Sequence, residues 1–433
     1  MLVCIPTIVG SEQVLSPPDG PYTARPTGGQ AMSCQTILRT VEFKLYPNKT
    51  QAATLEAWLR RCCWLYNRAL EQRTKAYRRR RESLSKYDQQ VWLTSLRARI
   101  PWLAEVPAWF ARSALERLDR AYKAFFSRCQ AGDKPGYPRF KSADRYRSME
   151  FGERRVFVRN RSIFVPGIGP IRARGNFVIS GEQRTMRIIR RATGWYASIT
   201  LKTSKEIPQH LSFAECGIDV GIESFATLDN GEAIQNPRVF RKAEKKMRAA
   251  HRHFSKCQYG SNRREKAKRR LARLHEQVQR QRRGFCHRAS RDLVNRFNCI
   301  AIESLRIKSL ARTRLAKLVN DAAWGFFIYC LIYKAANAGG SVVRVDSRGT
   351  SQTCPACGAV ARKELSERTH CCKGCGFRCH RDHAAAMVIR QRAFGSVRGA
   401  IVGPVASEQA EAMKREVQQL LLRSPRTPST VEL

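Results

Sequence analysis

Acidic residues are scarce in this chain of 433 residues. Asp and Glu number 35 against 80 Lys and Arg, giving a formal net charge of +45 and an isoelectric point near 10.6. A surplus of that size repels itself unless a polyanion neutralises it, which favours nucleic acid over a small metabolite as partner. Arg exceeds Lys, and its planar fork suits phosphates and base edges; a membrane surface is the weaker alternative. Long apolar runs are also missing, since no stretch approaches the roughly 18 residues of a spanning helix. The opening segment, MLVCIPTIVGSEQVLSPPDGPYTARPTGGQ, lacks the positive and apolar regions of a signal peptide. A cytoplasmic protein with reduced thiols is expected. No internal repeat has a period of about 20 to 50 residues. The hydrophobic share is 43%, enough for a sizeable core, and the length predicts two to four domains.

Residues 1–36, rich in Pro, Gly, Ser and Thr, read as a disordered extension, and Met32 is an alternative start. ILRTVEFKLYPNKT then predicts a strand ending in a turn. Helical spacing follows in Leu55, Leu59, Cys62, Leu65 and Leu70, and again in Leu115, Leu118, Tyr122 and Phe125. Residues 150–202 carry short β-branched and aromatic runs punctuated by Gly, Asn and Pro, which predict a small β-barrel or meander. The fold class is therefore α+β or α/β and multidomain. It opens with a β domain (37–50 plus 138–205) interrupted by a helical insertion (51–137), followed by an α/β region (206–350 plus 377–404). A Cys-rich insert (351–376) and a flexible tail (405–433) complete it. In the third region GIDVGI and SFATL predict strands, and Asn230-Gly231 predicts a type I′ hairpin. Residues 238–283 hold eighteen Lys or Arg against three Glu, a long basic helical hairpin suited to polyanion contact. CIAIESL and SVVRVDS predict buried strands. LVNDAAWGFFIYCLIYKAANAGG predicts one helix closing on Gly339-Gly340, and DHAAAMVIRQRAF a last helix.

Sixteen cysteines in a reduced compartment need an explanation other than disulfides. Cys4, Cys129, Cys216, Cys257, Cys299 and Cys330 are scattered singly, as small buried apolar residues are. Cys354-Pro-Ala-Cys357 and Cys372-Lys-Gly-Cys375 are different. Each C-x-x-C is followed by Gly (Gly358, Gly376), so backbone amides can wrap a sulfur while the two pairs close on one tetrahedral ion. A structural zinc ribbon is expected, with His370, Cys371, Cys379 and His380 as nearby spares. A redox dithiol needs only one such pair.

Three acids stand out among so many bases. Asp219 lies inside the apolar GIDVGI, where an unpaired charge is costly to bury. Glu303 ends the strand IAIES, and Asp382 opens the last helix in HRDHAAA. Each alone has an ordinary explanation: a solvent-facing strand end, a partner for Arg, an N-cap. Together, in the order strand, strand, helix, they match a ribonuclease-H-like site. Such carboxylates would hold two Mg²⁺ ions about 4 Å apart for phosphodiester cleavage. About −3 of carboxylate charge against +4 of metal leaves a site attractive to phosphate.

GIDVGIESFATLDNG, IAIESL, the segment from LAKLVNDAAWG to TCPACG, CKGCG and RDHAAA together resemble the TnpB (OrfB) proteins of bacterial insertion sequences, relatives of compact type V CRISPR effector nucleases. FKLYPNKTQ, Trp64-Leu65-Tyr66-Asn67 and GYPRFKS extend the resemblance over roughly 37–400. It implies a β-barrel wedge domain with a helical recognition domain inserted, then a ribonuclease-H-like (RuvC) nuclease with an inserted zinc ribbon. Asp219, Glu303 and Asp382 match the three RuvC acids, and Cys354, Cys357, Cys372 and Cys375 the ribbon ligands. The implied cofactors are structural Zn²⁺, catalytic Mg²⁺ and a guide RNA made from the element's own end. The implied partner is double-stranded target DNA beside a short adjacent motif, where guide pairing supplies specificity. No membrane is involved, the compartment is the bacterial cytoplasm at the nucleoid, and a partner transposase encoded nearby is an optional companion. Two departures stand out: His380 occupies a position where the family commonly has an acid, and Ala384 one where it has Asn. The rival expectations are a DNA-strand transposase acting on element ends and a nuclease-silent RNA-guided DNA binder, or a plain RNA-binding zinc protein.

Overall fold

The computed structural model describes residues 34–395 apart from breaks at 133, 153–156, 176, 178, 207–209, 211, 306–309, 311, 363 and 365–366, together with 5–8 and 401–402. The chain forms two compact units, one built on Thr36–Ser204 and the other beginning at Lys205. The 405–433 tail expected from the sequence lies outside the described residues, as does most of the 1–36 extension.

The first part of the chain carries β1 (Ile5–Ile8), β2 (Cys34–Tyr46), α1 (Lys49–Arg80), α2 (Lys86–Arg99), α3 (Pro101–Ala104), α4 (Ala108–Gln130), β3 (Ser148–Phe151), β4 (Phe157–Arg159), β5 (Ser162–Val165), β6 (Gly169–Arg174), β7 (Glu182–Arg191) and β8 (Gly194–Glu206). The strands form one sheet in the order β3-β7-β8-β2-β6-β5-β4, with β1 beside β2. Within the 1–36 segment, read as disordered, Ile5–Ile8 is thus a strand, because β2 offers it an edge to pair with. The helices leave the sheet after β2 and return at β3. α1 starts where Asn48 and Gln51 close a reciprocal capping box. Its apolar face, Leu55, Leu59, Cys62, Tyr66 and Leu70, shares one core with Phe110, Leu115 and Leu118 of α4 and Phe43, Ile188 and Ile199 of the sheet. Inside that assembly Glu150 is buried. Burial opposes its charge, yet Arg187 and Arg120 hold its carboxyl below the ordinary range. Of the single cysteines read as buried, Cys216, Cys257 and Cys330 are so, Cys299 is half-buried and Cys129 is exposed. Cys129 sits at the end of α4, beyond the last buried residue, Tyr122. The side chain of Cys4 lies outside the described residues.

The second unit carries β9 (Glu215–Asp219), β10 (Ser224–Leu228), β11 (Ala233–Gln235), α5 (Val239–Lys256), α6 (Asn262–Arg296), β12 (Cys299–Glu303), α7 (Ala316–Ala322), α8 (Trp324–Asn337), β13 (Ser341–Val345), β14 (Thr369–Cys371), β15 (Arg378–His380), α9 (Arg381–Phe394) and β16 (Ile401–Val402). Its main sheet runs β11-β10-β9-β12-β13-β16. β9, β12 and β13 are parallel neighbours, while β10, β11 and β16 add antiparallel edges. Strand alternation sorts the two faces. Cys216, Ile218, Ile300 and Ile302 pack with Leu293 of α6 and Phe327 and Leu331 of α8. Ala301 and Val345 point the other way, onto Ile389 of α9.

Two local expectations are corrected. The helix expected across LVNDAAWG to ANAGG is two helices, because Ala323 adopts a left-handed conformation (φ 59°) and donates its N–H to Val319 O. The break lets α7 present Asp321, which is buried. Its carboxylate accepts from the backbone N–H groups of Phe240 (2.8 Å) and Arg241 (3.3 Å) and from Arg282 Nε (3.0 Å). α5, which has no side-chain cap of its own, is thus capped by a residue 80 positions away in sequence from Arg241. The predicted type I′ turn at Asn230-Gly231 is also different. Gly231 N–H bonds Leu228 O (3.0 Å), and only Gly231, not Asn230, has positive φ. Asp229 and Asn230 form the turn and Gly231 supplies the left-handed residue after it. Positive φ at two consecutive residues occurs instead at Asn160-Arg161, between β4 and β5.

Asp321→Ala is expected to cost the second unit about 2–3 kcal/mol, since it removes a charge-assisted cap and strands Arg282. Hydrogen exchange would read it as faster amides at Phe240 and Arg241; unchanged protection there would show that the cap is dispensable.

Candidate active site

Asp219 and Glu303 are the last residues of two adjacent parallel strands. Ile218 pairs in register with Ile302, so the two acids follow side by side at the carboxyl ends of β9 and β12. Both face the side covered by α9, since Gly217 and Ala301, two residues earlier, do. The fit at Gly217 is very close: a Cβ there would lie 2.2 Å from Ala386 O and 2.7 Å from Arg390 Cβ. Only glycine allows α9 to lie so near β9. Asp382, one turn before Ala386, is thereby brought to the end of the strand where Asp219 stands. Its Oδ2 lies 3.7 Å from the Cβ position of Gly221.

The electrostatics of Asp219 agrees with the convergence. Burial, then the charges of Glu303 and Asp382, raise the Asp219 carboxyl well above its usual 3.8, against the opposing pull of Arg381. Burial also raises Glu303, against a hydrogen bond from Thr350 Oγ1 and the charge of Arg392. The three carboxylates do not form as tight a group as the cysteines. Among the described residues, only the latter have all candidate ligand atoms within 4.8 Å of one another. An all-oxygen, mutually repelling set of this kind suits hard divalent cations.

The helix carrying Asp382 starts on His380, whose Nδ1 accepts the N–H of Asp382 at 3.3 Å. The imidazole thus does the capping an acid could do at that position. Ala384 is buried on the inner side of α9. His383 Nε2 lies 2.9 Å from Asp229 O, tying α9 to the β10–β11 turn. Arg392 grips the exit of β13 through Asp346 O (2.9 Å) and Arg348 O (2.8 Å). Thr350, Arg392, Gly217 and His383 were not singled out from sequence. A Thr or an Arg in a chain this basic carries no local signal, whereas Gly217 inside an apolar strand is one.

The four sulfurs of Cys354, Cys357, Cys372 and Cys375 converge in the same unit. Cys354 and Cys375 are 3.7 Å apart, and Cys357 and Cys372 3.5 Å. Tetrahedral zinc, with Zn–S near 2.3 Å, sets its sulfurs about 3.8 Å apart, so the cluster fits. The two turns are near copies. Cys354 N–H bonds Ala359 O and Gly358 N–H bonds Cys354 O; Cys372 N–H bonds Phe377 O and Gly376 N–H bonds Cys372 O. Gly358 and Gly376 have φ of 75° and 73°. Amides of Cys375 and Gly374 lower the Cys372 thiol to about 6, while, against the amide of Phe377, the neighbouring sulfurs raise Cys375 to about 12; the crowded sulfurs thus share protons that a bound metal would displace. Of the spares, His370 is buried against Phe377, and Cys371 and Cys379 lie on the hairpin β14–β15; none joins the cluster.

Comparison with known proteins gives this arrangement a lineage. A "Putative RNA-guided DNA endonuclease" of Streptomyces pristinaespiralis is 31% identical over 362 residues, covering 81% of this chain and 88% of that protein. The chain belongs to the TnpB (OrfB) family. A second relative, the "Putative RNA-guided DNA endonuclease InsQ" of Escherichia coli strain K12, is 26% identical over 365 residues, covering 80% of this chain and 90% of that protein. Three family profiles match in order: "Helix-turn-helix domain" over 32–82, "Probable transposase" over 198–314, and "Cas12f1-like, TNB domain" over 324–389. The first falls on β2 and the single unbroken helix α1. The second contains Asp219 and Glu303, and the third contains the four cysteines and Asp382. A solved structure, the "Cryo-EM structure of the Cas12f1-sgRNA-target DNA complex", aligns with a TM-score of 0.51 at 14% identity, covering 79% of this chain and 83% of that one. TnpB-family membership thus comes with a mixed α/β fold shared with a compact effector. Among the described residues, no helix is long and apolar enough to cross a membrane.

Proposed function

We propose that this protein is an RNA-guided DNA endonuclease whose second unit is a RuvC nuclease with an inserted zinc ribbon and whose first unit is the wedge, its sheet curling toward a barrel, with its helical recognition insert. The observation that carries the proposal is the convergence of Asp219, Glu303 and Asp382 from two strand ends and a helix start. The relatives' names and the net charge of +45 support the nucleic-acid half of it. The guide RNA would come from the element's end, the target would be double-stranded DNA beside a short motif, and the setting would be the bacterial cytoplasm at the nucleoid. A transposase encoded nearby would move the element itself.

The three carboxylates would hold Mg²⁺, which would supply water activation and charge stabilisation at the leaving 3′ oxygen, and the four thiolates a structural Zn²⁺. The chain's own residues do the positioning. Thr350 Oγ1 donates to Glu303 Oε1 and so holds the orientation of that carboxylate. Arg381, next to Asp382, and Arg392, near Glu303, supply positive charge that limits the mutual repulsion of the acids. Because Asp219 binds its proton more tightly than usual, protons compete with cations there, and metal affinity falls as the medium is acidified.

The test is guided cutting. Protein from native expression should carry a discrete RNA and cut, with Mg²⁺, only DNA matching it beside the adjacent motif. A protein free of RNA at moderate salt, or one joining element ends without a guide, would turn the assignment to a plain binder or a strand transferase. Thr350→Val keeps shape and removes the donor, so cutting should fall about tenfold with a profile displaced to higher pH, since Glu303 loses a hydrogen bond that lowers its pKa. An unaltered profile would assign Thr350 to structure alone.

A further inference from the structure

The basic hairpin of α5 and α6 ends in a feature the nuclease reading does not use. Its tip, Cys257–Ser261, displays Tyr259 at 90% exposure, the highest of the large hydrophobic side chains among the described residues. The ring is not on a loose loop. Arg264 Nη1 donates to Cys257 O (2.7 Å), and its guanidinium lies 4.5 Å from the centroid of Phe254 and 5.7 Å from that of Tyr259. Ser261 Oγ donates to Gln258 O (2.8 Å) and accepts from Arg264 N–H (3.1 Å), and Gly260 takes the left-handed turn. These three hydrogen bonds and two ring contacts hold the tip that carries the ring, which leaves an aromatic face in water at a cost that packing does not repay.

Around it the charge is mostly of one sign, with Glu265, paired to Lys268, as the exception. Arg252, Lys256, Arg263, Lys266, Arg269 and Arg270 are all exposed, and among the described residues no acidic partner is recorded for any of them. Lysines and arginines flanking a rigid exposed aromatic are what single-stranded nucleic acid requires: cations for the backbone and a platform for a base. A protein partner for this tip would need an acidic surface to match the surrounding cations.

We propose that Tyr259 stacks on an unpaired base of a nucleic-acid strand held by the α5–α6 hairpin. The inference rests on the nucleic-acid half of the function proposed above but not on cutting or guiding. The test uses the full chain, stripped of co-purified nucleic acid at high salt, with short RNA and DNA strands of the same sequence and versions carrying abasic sites. Tyr259→Ala should weaken binding of the base-bearing strand about tenfold while leaving the slope of log affinity against log salt unchanged. It should have no effect on the fully abasic strand, and Tyr259→Phe should bind like the parent. The double variant Arg263→Ala, Lys266→Ala should instead lower that slope by about 1.4 for a single strand. RNA and DNA arms report which strand is preferred, and a base-dependent loss in either supports the proposal. Equal affinity of Tyr259→Ala and parent for both strands, or an equal loss on base-bearing and abasic strands, would overturn it. Neither result bears on Asp219-dependent cutting, so failure here and failure of the nuclease reading are distinguishable.

Discussion

Asp219→Asn should abolish Mg²⁺-dependent cutting, a fall of about a thousandfold or more, and at the same time make the metal-free protein more stable at neutral pH. Both effects have one origin. Glu303 and Asp382 repel a charge on Asp219 that burial already disfavours, and the amide of Asn carries no charge to repel. The pH dependence carries the sign. The folded state raises the pKa of Asp219 above its usual 3.8. Its contribution to stability is therefore fully present below the unfolded value and is lost as pH rises through the folded one. The parent should lose stability relative to the variant across that window, and the gap should close in acid. Melting curves in chelator from pH 4 to 7 measure it. A variant melting no higher than the parent at pH 7 would mean that the three carboxylates do not share a site.

Cys372→Ser should reduce zinc from about one per chain to a small fraction, because a hydroxyl is a poor replacement for a thiolate ligand. In small metallo-domains the metal supplies about 10–16 kcal/mol of apparent binding free energy, which is the folding energy of the loop. The segment around 351–376 has little apolar core of its own: Cys354, Pro355 and Cys372 are its only buried apolar residues among those described. It should become open to protease while the core of Ile218, Ile302, Phe327 and Leu331 persists. Cutting should fall about a hundredfold, since β15 runs straight into α9 and the orientation of Asp382 depends on that junction. RNA retention should be unaffected. Full cutting by a zinc-free variant would separate the ribbon from the acids.

The parts of the site legible in sequence are those whose chemistry contradicts their surroundings. Asp219 follows an apolar strand, Glu303 ends another, and paired C-x-x-C turns with trailing glycines have few other uses. What the sequence hid is what depends on long-range contact. Nothing near Asp321 marks it as the cap of α5, because its partners lie 39 to 81 positions away in sequence. Thr350 is an ordinary threonine until β13 delivers it beside Glu303. The Asn230-Gly231 pair misleads because a dipeptide preference does not fix how many residues the flanking strands leave for the turn. Leu228 N–H reaching Glu232 O sets a three-residue loop. The helix from residue 318 onward was read through Ala323 because alanine is the strongest helix former, and only tertiary demand places it in a left-handed conformation.

The third acid sits on α9, the last helix among the described residues, whereas the unit built on Thr36–Ser204 is complete long before. Domains of a growing chain fold as they emerge, the N-terminal one first, at about 5–20 residues per second. While the ribosome is still translating the stretch from β9 to α9, the finished unit is already available to any ligand it recognises, and the proposed hydrolytic centre still lacks Asp382. Under the proposed roles of the two units, order of synthesis alone places recognition before hydrolysis in the life of each molecule.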